Sequence, residues 1–191
     1  MRKTADAVVI GGGAIGTSVL YHLTRLGMRD VVLLEKSALA SGSTGDTAAM
    51  VRQHYSNEVS IRLVKLSLEL FQRFPDEFDG ADVFTPTGWL FLCPPEASSV
   101  FDKNMALLIG LGVRTWELTV DEATEELPGL NTEGIARVAF EPDSGYADPH
   151  LLASAIAGKA AEAGAEIRVD TPAVGLNVSD GRVTSVATEG G

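Results

Sequence analysis

Three glycines and one distant carboxylate carry the first chemical signal in this sequence. Gly11, Gly13 and Gly16 stand in G-x-G-x-x-G spacing directly after the apolar run Ala7-Val8-Val9-Ile10. Glu35 closes a second apolar run, Val31-Val32-Leu33-Leu34. These residue types suit a ligand that carries a diphosphate and a ribose. Gly11 permits a tight exit from a strand, Gly13 lacks the Cβ that would keep a phosphate off a helix N-terminus, and Gly16 lets helix and strand pack closely. First-turn N–H groups, those of Ala14 and Ile15 among them, and the positive end of the helix dipole then hold the anion without any basic side chain. Glu35 lies about twenty residues beyond the glycines, where a ribose hydroxyl needs an acceptor, and its charge disfavours a 2′-phosphate, hence NADP, relative to FAD or NAD.

The elements that must position these groups are legible around them. Ala7–Ile10 has the composition of a parallel strand buried on both faces. Apolar residues at Ile15, Val19, Leu23 and Leu26 follow at near-helical spacing, with Gly27 as the C-terminal cap. Val31–Leu34 is a second buried strand, so the order is strand, turn, helix, strand. The stretch from Lys36 to Ala49 is small, polar and glycine-punctuated, able to run close to a ligand while offering hydroxyl and backbone donors. A nicotinamide domain follows its strand-end acid with a short link into the next helix; a loop of this length has a purpose if it wraps a flavin.

Beyond the loop, Asn57 is placed to cap a helix whose stripe Val59, Leu63, Leu66 and Leu70 docks against the core. From about Asp82 to Glu141 the pattern changes to short strands at 88–92, 114–118 and 135–140, with helical stretches at 97–109 and 121–126. Trp89 and Trp116 fall on strand positions and read as core aromatics. Asp148 caps a helix that has Pro149 at its first position and ends at Gly164. Residues 167–169 supply a third strand, and 174–178 with 182–187 flank Ser179-Asp180-Gly181 as a hairpin.

Charge and composition narrow the function classes. With 26 acidic against 15 basic side chains and a formal net charge of -11, the chain does not read as a nucleic-acid binder or as a protein that docks on anionic lipid. No segment approaches the roughly 18 uninterrupted apolar residues of a membrane span. The single cysteine, Cys93, excludes an intramolecular disulfide or a multi-thiolate metal site built from this chain alone, fits a reducing cytoplasm, and reads as a small buried hydrophobe. No metal site is expected.

Taken with Thr87-Gly88-Trp89-Leu90-Phe91-Leu92 and Ser144-Gly145-Tyr146-Ala147-Asp148-Pro149, these features resemble the D-amino-acid oxidase superfamily, the group containing glycine oxidase, sarcosine oxidase and dimethylglycine dehydrogenase. The resemblance includes the Glu35-Lys36 strand end, the loop Ser41-Gly42-Ser43-Thr44-Gly45, and Met50-Val51-Arg52-Gln53-His54-Tyr55; the loop and its arginine are similar to those of the β subunit of heterotetrameric sarcosine oxidase. It implies an α/β fold: a Rossmann-like three-layer FAD/NAD(P)-binding domain with a parallel sheet and a β-meander, from residues 1–81 and 143–191, plus part of an inserted α+β substrate domain at 82–142. Ser43 and Thr44 would lie along the FAD pyrophosphate, Ala48, Ala49, Met50 and Val51 would approach the flavin ring, and the backbone of Val174 would meet the adenine edge. Arg52 would stand at the flavin edge or at a substrate carboxylate, its guanidinium offering a bidentate fork; a salt bridge at a helix start is the alternative for this residue. His54 reads as a solvent-facing or core histidine. Some relatives attach FAD covalently through a histidine in this loop, and Gly45-Asp46 stand in its place, which favours dissociable, non-covalent FAD.

The expected activity is hydride removal from the carbon beside the nitrogen of a small amino acid or of a secondary or tertiary amine such as sarcosine, glycine or dimethylglycine, with oxygen or another carrier as the final acceptor. A 2-hydroxy acid or glycerol phosphate is the rival substrate class, and a non-catalytic nucleotide-binding fragment, or a subunit completed by a partner chain, is the rival of a different kind. The resemblance also implies a further stretch of comparable length that completes the sheet and the substrate pocket. This sequence is expected to lack it, and so to expose apolar surface and to bind FAD weakly by itself.

Overall fold

The computed structural model describes residues 4–189. In chain order the elements are β1 (Ala7–Ile10), α1 (Ala14–Arg25), β2 (Val31–Leu34), β3 (Met50–Val51), α2 (Glu58–Gln72), α3 (Phe74–Glu77), β4 (Phe84–Pro86) and β5 (Trp89–Cys93). A single 3-10 turn (Pro95–Ala97) then leads into α4 (Ser98–Gly110), β6 (Trp116–Leu118), α5 (Val120–Glu126), β7 (Arg137–Glu141) and β8 (Gly145–Ala147). The last elements are α6 (Pro149–Glu162), β9 (Glu166–Arg168), β10 (Ala173–Ser179) and β11 (Arg182–Thr188). They form two compact units. The first comprises the chain up to Ala49, Pro75–Val83, and the chain from Asp148 onward; the second comprises Met50–Phe74 and Phe84–Ala147.

In the first unit β1, β2 and β9 form a parallel sheet in that order, with Ala7 paired to Val31 and Val32 to Glu166. Two parallel strands joined by a helix give the βαβ crossover that the glycine turn requires. Asp148 opens α6 by accepting the N–H groups of His150 and Leu151, as its position before Pro149 predicts. The small residues Ala153, Ala157 and Ala160 give α6 a buried face that packs against α1. The hairpin is also present: Asp180 (φ 52°) and Gly181 (φ 74°) both take the left-handed conformation that a two-residue turn matching strand twist demands. Of the predicted β-meander, the described residues contain these two strands.

The burial expected of β1, α1 and α2 needs correction. β2 is buried along its whole length, but β1 lies at the sheet edge and leaves Val8 and Ile10 at 38% and 54% exposure. In α1 the buried residues are Thr17, Leu20, Tyr21 and Thr24, while Ile15, Val19 and Leu26 are exposed. In α2 the buried residues are Ile61 and Leu68, and Val59, Leu63 and Leu66 face outward, so the stripe expected to dock is not the docking face. α2 carries two apolar stripes and the buried face of α1 is half threonine, so periodicity alone does not say which face has a neighbour.

The second unit explains why residues 50–74 group with 84–147 rather than with the nucleotide fold, as the boundary at residue 81 had implied. β3 pairs with β8, and Ile61 of α2 belongs to a core formed with Cys93, Phe101, Met105, Leu108, Val113 and Ala139. Two antiparallel sheets, β3-β8-β4 and β5-β7-β6, supply the strands. Thr119 and Glu122 close a reciprocal capping box at the start of α5, a Thr-x-x-Glu signal legible in the sequence but absent from the expectations above. Trp116 is 41% exposed rather than core, lying edge-on to Phe140.

Candidate functional site

The glycine turn and the strand-end acid meet in the first unit. Gly11 leaves β1 with φ 105°, its N–H donating to the Leu34 carbonyl. Gly13 is the N-cap of α1 and provides no side-chain cap. The helix therefore starts with N–H groups, those of Ile15 and Gly16 among them, that have no partner inside the helix. Ala14 N–H is met by Thr44 Oγ1 at 3.0 Å, which brings the loop predicted to follow a pyrophosphate onto the helix N-terminus. A Cβ on Gly13 would stand 2.7 Å from that same oxygen, and a Cβ on Gly16 would stand 1.8 Å from the Gly11 carbonyl oxygen. At Gly16 the obstruction is backbone and demands glycine, whereas at Gly13 it is the Thr44 side chain, which would have to turn away. An open cleft of about 380 Å³ lies here, lined by residues that include Gly11, Gly13, Ile15, Gly16 and Thr44.

Glu35 is buried, at 8% exposure, and its carboxylate is tied to the turn: Oε2 accepts Gly12 N–H at 2.6 Å and Oε1 accepts Ser37 N–H at 2.9 Å. Each oxygen keeps further acceptor capacity for a ligand hydroxyl. The 170–174 segment reaches the same strand end, because Thr171 N–H donates to the Glu35 carbonyl and Asp170 N–H to the Ser37 carbonyl. Val174 is the second residue of β10 just beyond and is exposed. Lys36, Ser41, Gly42, Ser43 and Ala48 are exposed around the loop, and Ala49 takes a left-handed φ of 48°. Gly45 leaves no room for a side chain of any kind, since its Cβ would lie 2.3 Å from the Ala40 carbonyl oxygen and 2.8 Å from the His150 ring.

Met50, Val51 and Arg52 belong to the second unit, with Met50 exposed and Val51 buried in β3. Arg52 is half-buried; its Nη1 donates to the His54 carbonyl and its guanidinium lies over the Tyr55 ring, 4.5 Å from the centroid. Among the described residues it has no carboxylate partner. A guanidinium held by a carbonyl and an aromatic face keeps Nη2 and Nε as donors for an anion. His54 is a core histidine, 4% exposed and stacked on Phe91. Cys93 is buried, and burial pushes its thiol above the ordinary value. Among the described residues no cluster of metal-ligating side chains occurs, and no helix is long and apolar enough to cross a membrane.

The family model described as FAD dependent oxidoreductase matches residues 6–191. The chain belongs to that family. It is 32% identical over 179 residues to mitochondrial dimethylglycine dehydrogenase from Rattus norvegicus, covering 92% of this chain and 20% of that protein. Mitochondrial pyruvate dehydrogenase phosphatase regulatory subunit from Mus musculus is 28% identical over 188 residues, 98% of this chain and 21% of that one. Among solved structures, L-proline dehydrogenase from P. horikoshii superposes with a TM-score of 0.92 at 31% identity, covering the whole of this chain and 50% of that one. The chain thus spans half of that dehydrogenase and about a fifth of the curated relatives. FAD is the family's cofactor, and the cradle fits it: glycines where a Cβ would collide, uncapped helical amides, and a buried acid at the strand end.

Proposed function

We propose that this chain is the cofactor-binding part of a flavoenzyme that oxidises the C–N bond of a small amino acid or of a secondary or tertiary amine. The observation that carries the reading is Arg52, a half-buried guanidinium without a carboxylate partner among the described residues, which suits the carboxylate of an amino-acid substrate. The dimethylglycine and proline dehydrogenases among its relatives act, by their names, on substrates of that class.

In this reading the N-terminus of α1, with Thr44 beside it, holds the diphosphate, Glu35 accepts from the ribose, Lys36 and Ser41–Ser43 border the dinucleotide, Ala48 to Val51 approach the flavin ring, and the Val174 backbone meets the adenine. The bound flavin supplies the electron sink for a hydride equivalent. Arg52 orients the substrate by its carboxylate, and its positive charge would stabilise negative charge on the reduced flavin. The loop carries Gly45-Asp46 where relatives with covalently attached FAD have their linking histidine, which supports non-covalent FAD. The single cysteine fits a reducing compartment such as the cytoplasm. The free edge of β1, the outward Ile15 and Val19, and the exposed Val174, Leu176, Val178 and Val183 of the hairpin support completion of the fold by further chain or by a partner subunit.

The test is turnover by the flavin-loaded, full-length protein of sarcosine, dimethylglycine, glycine and L-proline against 2-hydroxyglutarate and glycerol phosphate. Oxidation of one or more of the first four is expected; turnover of the last two alone would overturn the amine reading. The likeness to a phosphatase regulatory subunit supports a second reading, a flavin-binding module without turnover. Tight FAD binding with no reduction by any of the six compounds would favour it.

A further inference from the structure

Among the described residues, the buried side-chain atoms left without a hydrogen bond belong to four residues: Gln53 Nε2, both ring nitrogens of His54, Trp89 Nε1 and Glu141 Oε1. The sheet register brings most of them together. Trp89 is paired directly with Glu141 across β5 and β7, so their side chains share a face; Phe91, two residues further along β5, is on that face and carries the His54 ring stacked at 3.8 Å. Glu141 is fully buried; its Oε2 accepts the Gln53 N–H at 2.9 Å and the Ser144 hydroxyl at 3.0 Å, and its Oε1 lies 3.3 Å from His54 Nδ1. A buried acid with imperfectly matched partners stabilises a fold poorly, since apolar residues of similar volume do as well or better.

What this acid does achieve is local geometry. It grips the backbone of Gln53 and faces the ring of His54, the two residues that follow Arg52, and Arg52 in turn donates to the His54 carbonyl. We propose that Glu141 is a positioning residue for Arg52: through the clamped 53–54 segment it fixes the guanidinium so that Nη2 and Nε are presented in one orientation. The functional consequence rests on the reading of Arg52 as the carboxylate-binding group.

Glu141→Gln keeps the side-chain size and one acceptor oxygen but removes the charge. In the flavin-loaded protein, 15N relaxation at the Arg52 side-chain Nε reports its order directly, and 13C-acetate line broadening reports carboxylate binding. The expected result for Glu141→Gln is loss of Arg52 Nε order toward that of a free surface arginine and acetate affinity weakened about tenfold, with flavin content unchanged. Ser144→Ala, which removes one donor to the same carboxylate, is expected to weaken acetate about threefold and carries the test if the glutamine variant does not fold. Arg52 Nε as rigid in the variants as in the parent would overturn the inference. Should Arg52 loosen while acetate affinity stays constant, and Arg52→Lys also leave that affinity constant, Glu141 still positions Arg52 and it is the substrate reading of Arg52 that fails.

Discussion

Replacing Gly16 by alanine should damage the nucleotide cradle from the inside. The added Cβ would stand 1.8 Å from the Gly11 carbonyl oxygen and 2.9 Å from its carbonyl carbon, whereas a tolerable carbon–oxygen approach is about 3.3 Å. The obstructing atoms are backbone and cannot rotate away, so α1 must lift from the turn by about 1.5 Å, the gap between those separations. Overpacking of this kind costs about 1–3 kcal/mol, and the rigid obstruction places Gly16→Ala at the upper end. For a chain of this size about 3 kcal/mol lowers Tm by roughly 6–12 °C. Gly42→Ala is the internal control, because a Cβ there meets nothing within 4 Å; its Tm should stay within about 1 °C of the parent. Thermal unfolding followed by circular dichroism, with FAD affinity measured alongside, checks both. A Gly16→Ala protein as stable as Gly42→Ala would refute the argument that close packing makes this glycine obligatory.

Glu35→Gln exchanges a charge-assisted acceptor of Gly12 N–H for a neutral amide; a loss of about 1.5–3 kcal/mol should weaken FAD about tenfold or more, measured by fluorescence titration. The hydrogen bonds from Arg137 hold the Glu117 carboxyl below its ordinary value of 4.5. A lowered native value means that this pair adds stability above about pH 4.5 and that the increment is lost as pH falls through the native value. Glu117 is 43% exposed, so the increment is under about 1 kcal/mol, and Glu117→Gln should lose Tm less steeply than the parent between pH 5 and pH 3. Cys93, buried with its thiol pushed up by desolvation, should resist alkylation at pH 8 until the protein is unfolded; rapid labelling of the native state would contradict its place in the core.

The nucleotide cradle was legible because its signals are local. Gly11 and Gly16 act on atoms within a few residues, and Glu35 follows one helix and one strand later, so spacing makes their roles legible. Asn57, Asp148 and Asp180-Gly181 were legible for the same reason: caps and turns are written in adjacent side chains. Burial was less so. β1 has the composition of a two-sided strand but is an edge strand among the described residues, and the two apolar stripes of α2 could not be ranked before Ile61 was seen against Phe101 and Met105. The Glu141 cluster lay beyond sequence reasoning, since Gln53 and Glu141 are 88 positions apart and only the pairing of β5 with β7 brings them together. Arg52 stood out by residue type; that it has no acidic partner among the described residues is visible only in the fold.

The central claim is that uncapped amides at the start of α1 and the carboxylate of Glu35 grip a flavin dinucleotide. Titration of FAD, with NADH as competitor, into the apoprotein and its Gly13→Val variant tests it most directly. Saturable quenching of flavin fluorescence that NADH does not reverse, released intact on denaturation and lost in Gly13→Val, is the expected result. Equal FAD binding by both proteins, or displacement of FAD by NADH, would contradict it.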